Sequence, residues 1–268
     1  MFPGATADRT DGEYVIVGAP LDVSTTFQPG TRFGPAQLRQ FARSFEDYDH
    51  HSDVRFTACS VHDAGDIHAW DDAGEYLEFL EGELTDIRAS QAIPVTIGGE
   101  HTVTIAGVRA TEPDVFVACD AHLDLREAYD GNPLSHATVT HHALNTASEA
   151  YVIGARSGSK PEWERAEKDD IMVIEPEAIK AFCESISFED QSVYLSVDID
   201  AADPSVAPGT GTMEPFGLTS QQLERVVRSV APAAVGFDVV EVNDRDDGQA
   251  ATLGAKLLRS FVTTHATS

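Results

Sequence analysis

Short apolar β-type runs alternate with segments of helical spacing along the whole of this 268-residue chain. No other feature narrows the possible folds as much, because repeated strand–helix–strand units make strands parallel and lay helices over both sheet faces. Strands are expected at Tyr14–Val17, Ala58–Val61, Ile93–Ile97, Asp114–Cys119, Ala150–Gly154, Ile171–Ile174, Ser192–Val197 and Ala233–Val239. Helices are expected over Phe33–Phe45, Gly74–Ser90, His101–Ala110, His136–Leu144, Pro161–Lys168, Pro176–Ile186, Ser220–Val230 and Ala250–Val262. Pro35 suits a first helical turn, and Tyr76, Leu77, Leu80, Leu84 and Ile87 fall on one face of the second helix. On the pattern alone, an α/β protein with some eight strands follows, either an open sheet or a closed β/α barrel. No linker, repeat or low-complexity stretch interrupts residues 1–268, so one domain is expected.

Three strand ends carry an unusual set of side chains. Ile93–Ile97 runs into Gly98-Gly99-Glu100-His101, the next strand into Asp120-Ala121-His122-Leu123-Asp124, and a later one into Asp198-Ile199-Asp200. In an open parallel sheet, ligand groups collect beyond the carboxyl ends of the strands. A single aspartate after a strand is a common helix cap or turn residue, but the three runs together bring two imidazoles and four carboxylates to one crevice. Without counter-charge, four carboxylates in one cleft repel and take up protons. Two divalent cations would neutralise them. Oxygen ligands with some imidazole and no thiolate favour Mn²⁺ over a structural zinc site.

The formal net charge is −27, with 45 acidic residues against 18 basic. The acid is spread along the chain rather than gathered in a tail. Such charge keeps a protein soluble at the cost of self-repulsion, a lever that halophiles use, so a salt-rich cytoplasm is the expectation. The same charge argues against a nucleic-acid partner. Three cysteines without a CxxC spacing (Cys59, Cys119 and Cys183) fit buried thiols in a reducing compartment. Cys119, though beside Asp120, is expected to face the core. No signal-peptide pattern and no apolar run of about 18 residues is present, so a cytoplasmic protein with no membrane partner is expected. Walker-type and GxGxxG runs are absent.

The segment from Asp200 to Gly217 contains Pro204, Pro208 and Pro215. Loops this long in compact domains tend to be functional or disordered. This one starts on candidate ligands and is expected to form an ordered wall of the site. His50-His51 and His141-His142 read as surface residues, since neighbouring helical side chains diverge by about 100°. Asp63-Ala-Gly-Asp66 is expected to shape a loop after a strand, and Arg156-Ser-Gly-Ser159 to line the rim.

Taken together, these runs resemble the ureohydrolase (arginase/agmatinase) family over nearly the whole chain. The match takes in Gly18-Ala-Pro20-Leu-Asp22, Pro29-Gly30-Thr31-Arg32-Phe33-Gly34-Pro35, Gly98-Gly99-Glu100-His101, Asp120-Ala-His122-Leu-Asp124, Ser135-His136, the run from Asp198 to Pro215, and Asp238-Val-Val-Glu241-Val-Asn243. The resemblance implies a three-layer α/β/α fold with an eight-stranded parallel sheet rather than a barrel. It implies two Mn²⁺ ions per subunit, bridged by Asp120 and Asp198, with His101 and Asp124 completing one ion and His122 and Asp200 the other. It assigns proton transfer to His136, water orientation to Asp124 and guanidinium pairing to Glu241. It also implies a homo-oligomer, a trimer or hexamer.

Within the family, PGTRFGP and APGTGTxEP resemble agmatinases, and the segment after Asp124 lacks the Asn and Ser/Thr-rich pattern with which arginases bind an α-amino acid head. The implied reaction is hydrolysis of agmatine, a small guanidino substrate, to putrescine and urea by water activated between the two ions. Another amidinohydrolase (guanidinobutyrase or arginase) is the alternative, and a metal-dependent amide deacetylase a more distant one. Glu214 is a candidate for the substrate's distal amine or a brace for the loop. Ala137, Met213, Phe216 and Asp244 depart from the common family residues Gly, Pro, Gly and Pro, and Met213 and Phe216 fall in the expected wall.

Overall fold

The computed structural model describes residues 1–68 and 70–268. Its strands in chain order are β1 (Tyr14–Ala19), the short pair β2 (Tyr48–Asp49) and β3 (Val54–Arg55), β4 (Val61–Asp66), β5 (Ile93–Gly98), β6 (Val115–Cys119), β7 (Glu149–Ile153), β8 (Ile171–Ile174), β9 (Val193–Asp198) and β10 (Ala234–Val240). The helices are α1 (Gly34–Phe41), α2 (Ala73–Ala89), α3 (Thr104–Thr111), α4 (Val139–Ala143), α5 (Lys160–Ala166), α6 (Ile179–Ser185), α7 (Ser220–Val230) and α8 (Gln249–His265). Eight strands form one parallel sheet in the order β4-β1-β5-β10-β9-β6-β7-β8. β4 and β8 are free edges, so the sheet is open and the barrel alternative is excluded.

Both faces are covered. The central strands are buried residue after residue, as in β1 and β6, because each face meets helices. α1, α6, α7 and α8 pack on one face, with Leu38, Leu223, Val227, Leu258 and Phe261 in the core. On the other face lie α2, α3 and α4. α2 buries the expected stripe of Tyr76, Leu77, Leu80, Leu84 and Ile87, each contributing on the order of 1.5–3 kcal/mol. Its first turn is capped by Asp72, which accepts from the Glu75 amide at 3.0 Å. Capping boxes at Ser159/Glu162 and Thr219/Gln222 start α5 and α7. Cys119 lies in the core, as expected from its strand position, and Cys59 is also buried, whereas Cys183 is half-buried.

Four differences from the sequence-based expectations have local causes. Ala58 belongs to a 3₁₀ turn and the strand starts at Val61, so Asp63 to Asp66 lie in the edge strand rather than in a loop after it. There Asp63 takes two bonds from Arg39, both at 2.8 Å. The β2–β3 pair is too short to show a period. The segments beginning at His101 and His136 open with a 3₁₀ turn before the α-helix, and the helix from Gly34 gives way to a 3₁₀ turn at Ala42. Finally, His50 and His51 are exposed, but His141 and His142 are half-buried, and His142 Nε2 lies 2.8 Å from the Pro133 carbonyl.

The topology positions the site. β5, β10, β9 and β6 are neighbours in the sheet although far apart in sequence. Their carboxyl ends therefore open onto one crevice, the place where open α/β sheets bind ligands.

Candidate active site

Each of these four strands delivers its residues by a specific turn. After β5, Gly99 passes between two chains: its amide donates to Ala19 (2.7 Å) and its carbonyl accepts from Glu241 (2.8 Å). A Cβ there would fall 1.9 Å from the Leu21 carbonyl, so only glycine fits, and His101 is carried into the buried floor of the crevice. Its Nδ1 stands 3.0 Å from Asp124, 3.2 Å from Asp120 and 3.4 Å from Asp198. His122 Nδ1 stands 3.0 Å from Asp200 and 3.5 Å from Asp120. The Ala121 amide donates to Asp200 Oδ1 at 3.1 Å, joining the turns after β6 and β9. Asp124 and Glu241 hold left-handed φ of 50° and 60°, a conformation that costs on the order of 1–3 kcal/mol for a non-glycine residue.

All six expected ligands stand in one cluster; five of them fall into two overlapping sets, and Asp198 joins through its 3.4 Å approach to His101 Nδ1. One donor atom each from His101, Asp120 and Asp124 lie within 4.8 Å of one another, and the same holds for Asp120, His122 and Asp200. Asp120 is common to both.

The chemistry of this donor set fits cations. Among the described residues, buried Asp120 Oδ2 has no hydrogen-bond partner. Ser196 Oγ gives its proton to Asp238 at 2.6 Å, so at 3.1 Å from His101 Nε2 it accepts from that nitrogen. His101 Nδ1 then presents either a lone pair or a second proton to three carboxylates. Without metal it takes the second proton: against burial, Asp120 and Asp124 hold the His101 pKa well above its ordinary value. His122, against the same burial penalty, is pushed up to about 12 by Asp200 and Asp120. Burial and the Asp120 charge push Asp124 up to about 7, and burial with Asp200 and Asp120 pushes Asp198 well up. Asp120, despite burial, is held below the ordinary range by the two imidazoles. The cluster stores protons in place of positive charge, and divalent ions would displace them.

Comparison with known proteins agrees with this geometry. Residues 12–263 match the model of the Arginase family. The chain belongs to the arginase family. It is therefore a ureohydrolase, of a family whose hydrolases act on guanidino groups and depend on a binuclear metal centre. The agmatinase of Pyrococcus horikoshii is 33% identical over 262 residues, covering 94% of this chain and 92% of the relative. The N(1)-aminopropylagmatine ureohydrolase of Thermococcus kodakarensis is 33% identical over 253 residues, covering 91% and 88%. The crystal structure of the agmatine ureohydrolase of Thermoplasma volcanium superposes with a TM-score of 0.94 at 31% identity, covering 99% of this chain and 94% of that one.

In this arginase-family chain His122 and Asp124 of the cluster line a cleft of about 330 Å³, whose walls include Thr26, Arg126, Tyr129, His136, Glu162 and Thr212. Met213 and Phe216 are exposed and do not line it. His136 Nε2 lies 3.3 Å from Thr26 Oγ1. Burial and the positive charge of His101 and His122 bring its pKa down to about 4. Glu241 is buried beside His101, accepts that residue's amide at 2.8 Å, and is pushed up to about 8 by burial, Glu100 and Asp200. Arg126 pairs with Glu162 at 3.1 Å and lies over the Tyr129 ring at 5.0 Å. Glu214 reaches within 4.0 Å of His122 Nε2.

Supporting residues were missed in the sequence. Buried Glu100 takes the Ser24 amide and hydroxyl, both at 2.8 Å, and Ser24 Oγ accepts the His136 amide at 3.2 Å. Asp22 accepts from Thr25, Gly30 and Arg32 and shapes the loop bearing Thr26. Ser196 and Asp238 lie behind His101. Glu100, Asp22 and Asp238 are marked only by their place inside family-like runs, and Ser24 and Ser196 fall outside those runs; no spacing rule predicts partners 76 to 112 residues apart.

Proposed function

We propose that this protein hydrolyses agmatine to putrescine and urea at a binuclear manganese centre. One ion would be held by His101, Asp120, Asp124 and Asp198 and the other by Asp120, His122, Asp198 and Asp200, the two aspartates Asp120 and Asp198 being shared. The observation that carries this reading is the pair of donor sets sharing Asp120 beside the buried carboxylate of Glu241.

When bound, two such ions supply a water whose pKa is lowered toward neutrality. The residues of the chain do the rest. Glu241 accepts the N–H groups of the cationic guanidinium through charge-assisted bonds and holds its carbon over the cluster. Asp124, 3.0 Å from His101 Nδ1, orients the attacking water through its second oxygen. His136, neutral at pH 7 because burial lowers its pKa, takes a proton at the mouth and passes it to the leaving amine. Ser24 and Glu100 fix its backbone.

A cationic tail suits the mouth, where Glu214 is partly exposed and pairs with no lysine or arginine among the described residues, while Arg126 is already neutralised by Glu162. A guanidino acid is the second reading, because Arg126 lines the cleft. Urea release by Mn²⁺-loaded protein in molar KCl, with agmatine, aminopropylagmatine, arginine and guanidinobutyrate in parallel, tests this. Turnover of the amine-tailed substrates alone is expected, and preference for a guanidino acid overturns the assignment.

We further read residues 1–268 as one ureohydrolase domain in a cytoplasmic homo-oligomer, a trimer or hexamer, from a salt-rich cell. The −27 charge supports the last point; full stability of the protein in low salt would sink it. Among the described residues no helix is long and apolar enough to cross a membrane.

A further inference from the structure

Arg156 is tied to an unusual number of main-chain carbonyls. Its Nε donates to Pro215 at 2.9 Å, one terminal nitrogen to Gly154 (2.9 Å) and Ala201 (3.2 Å), and the other to Asp200 (2.9 Å), Ala202 (3.3 Å) and Glu214 (2.7 Å). Gly154 follows β7. Asp200 to Ala202 open the long loop after β9, and Glu214 and Pro215 close it. One planar cation with five N–H donors thus joins both stems of the loop to the sheet.

The surrounding backbone is shaped to admit it. A Cβ on Gly217 would lie 2.5 Å from a terminal nitrogen of Arg156 and 2.6 Å from the Asp203 amide. The stems also pair directly, through Asp203 N to Leu218 O and Leu218 N to Ala201 O, both at 2.9 Å. The guanidinium fills the space these bonds enclose. Lysine, a point charge with three donors on a tetrahedral nitrogen, cannot reproduce such a fork.

We propose that Arg156 is a positioning residue for the outer half of the metal centre. It grips the carbonyl of Asp200, whose side chain stands 3.0 Å from His122 Nδ1, and that of Glu214, whose carboxylate faces His122 from the other side. By fixing both main-chain positions it sets the aim of Asp200 toward His122 and Asp120, while His101, Asp124 and the floor of the site are held independently. This rests on the binuclear reading above. Outer partners of metal ligands typically change metal affinity or activity by about 10–100-fold.

The test measures bound Mn²⁺ per subunit across chelator-buffered Mn²⁺ concentrations, for the full chain and for Arg156→Met, Arg156→Lys and Gly217→Ala. Wild type is expected to hold two ions. Arg156→Met is expected to hold one at wild-type affinity and the other about 10–100-fold more weakly, with Arg156→Lys and Gly217→Ala between. In the metal-free proteins, amide hydrogen exchange should speed up within residues 200–217 while β5 and β9 keep their protection. A purely structural role would lower both affinities and all protection together, and that result overturns the proposal. Two ions bound with wild-type affinity by Arg156→Met overturns it while leaving the binuclear reading intact. Fewer than two ions in wild type overturns both. Should Arg156→Met fail to fold, Arg156→Lys carries the same two readouts.

Discussion

The two halves of the ligand cluster use the same chemistry with different supports. The inner half is buried in the sheet: His101 is 1% exposed and its ring is backed by Ser196 and Asp238. Its turns are pinned by main-chain bonds between neighbouring strands, Gly99 to Ala19 and Glu241 to Gly99. In the outer half His122 is 25% exposed, and Asp200 opens a long loop whose stems are joined by Arg156 and by two main-chain bonds of Leu218. Carboxylates can thus be aimed either by a sheet, whose ladder leaves little freedom, or by a loop, whose aim depends on a few long-range side-chain bonds. The inner half should tolerate little change, and the outer half should fail in degrees.

The largest effect is expected where the halves join. Asp120→Ala or Asp198→Ala should abolish loading of both ions and reduce urea release to background, as read by metal analysis and a urea assay. Full turnover by either variant would refute the ligand assignment. Next, His136→Asn should lower kcat by about 10²–10⁴-fold, the usual share of a general acid–base group, with two ions still bound. Loss of ions in that variant would make His136 part of the cluster's support. On the inner side, Ser196→Ala removes the acceptor of His101 Nε2 and should weaken one ion by about 10–100-fold. If it weakens the ion expected to depend on Arg156 instead, the division into halves is wrong.

The smaller effects concern the mouth. His136 has a folded pKa of about 4, below its ordinary value of about 6.5. Between these values the unfolded chain binds more protons, so this group's contribution to stability is full above about pH 6.5 and lost as the pH falls toward 4. Melting curves should therefore show wild type losing stability relative to His136→Asn over that window; parallel curves would mean that the imidazole is not buried as described. Smallest of all, Glu214→Gln should raise KM for agmatine by about 2–5-fold, the range of an exposed ion pair, and leave guanidinobutyrate unchanged or improved. An equal change for both substrates would return Glu214 to a role in bracing the loop.

Much of this was legible in the primary structure, for reasons that differ by element. The central strands announce themselves because burial on both faces forces continuous apolar runs, and α2 because its apolar stripe repeats at helical spacing. β4 was misplaced because an edge strand is only half buried, and its His62-Asp63-Ala-Gly-Asp66 reads like a loop. The six candidate ligands were visible as spaced runs because each strand end contributes residues close together in the chain. In the sequence Arg156 looks like a rim residue, because its six acceptors are carbonyls, which carry no residue identity and leave no trace in a motif.

The order of apolar and polar residues, with the acidic and imidazole side chains at three strand ends, determined on its own the α/β class, the family and the candidate metal-binding set. Local patterning suffices there, since period, turn chemistry and ligand type are properties of short segments. The strand pattern alone left barrel and open sheet undecided, and only the family-like motifs pointed to the open form. The tertiary structure alone decided that β5, β10, β9 and β6 stand side by side, and that Glu100, Ser24, Asp238 and Arg156 hold the site in shape. Those outcomes depend on strand order and on hydrogen bonds between residues tens to more than a hundred positions apart. Such bonds form only after the sheet has brought their partners together, so no single segment encodes them.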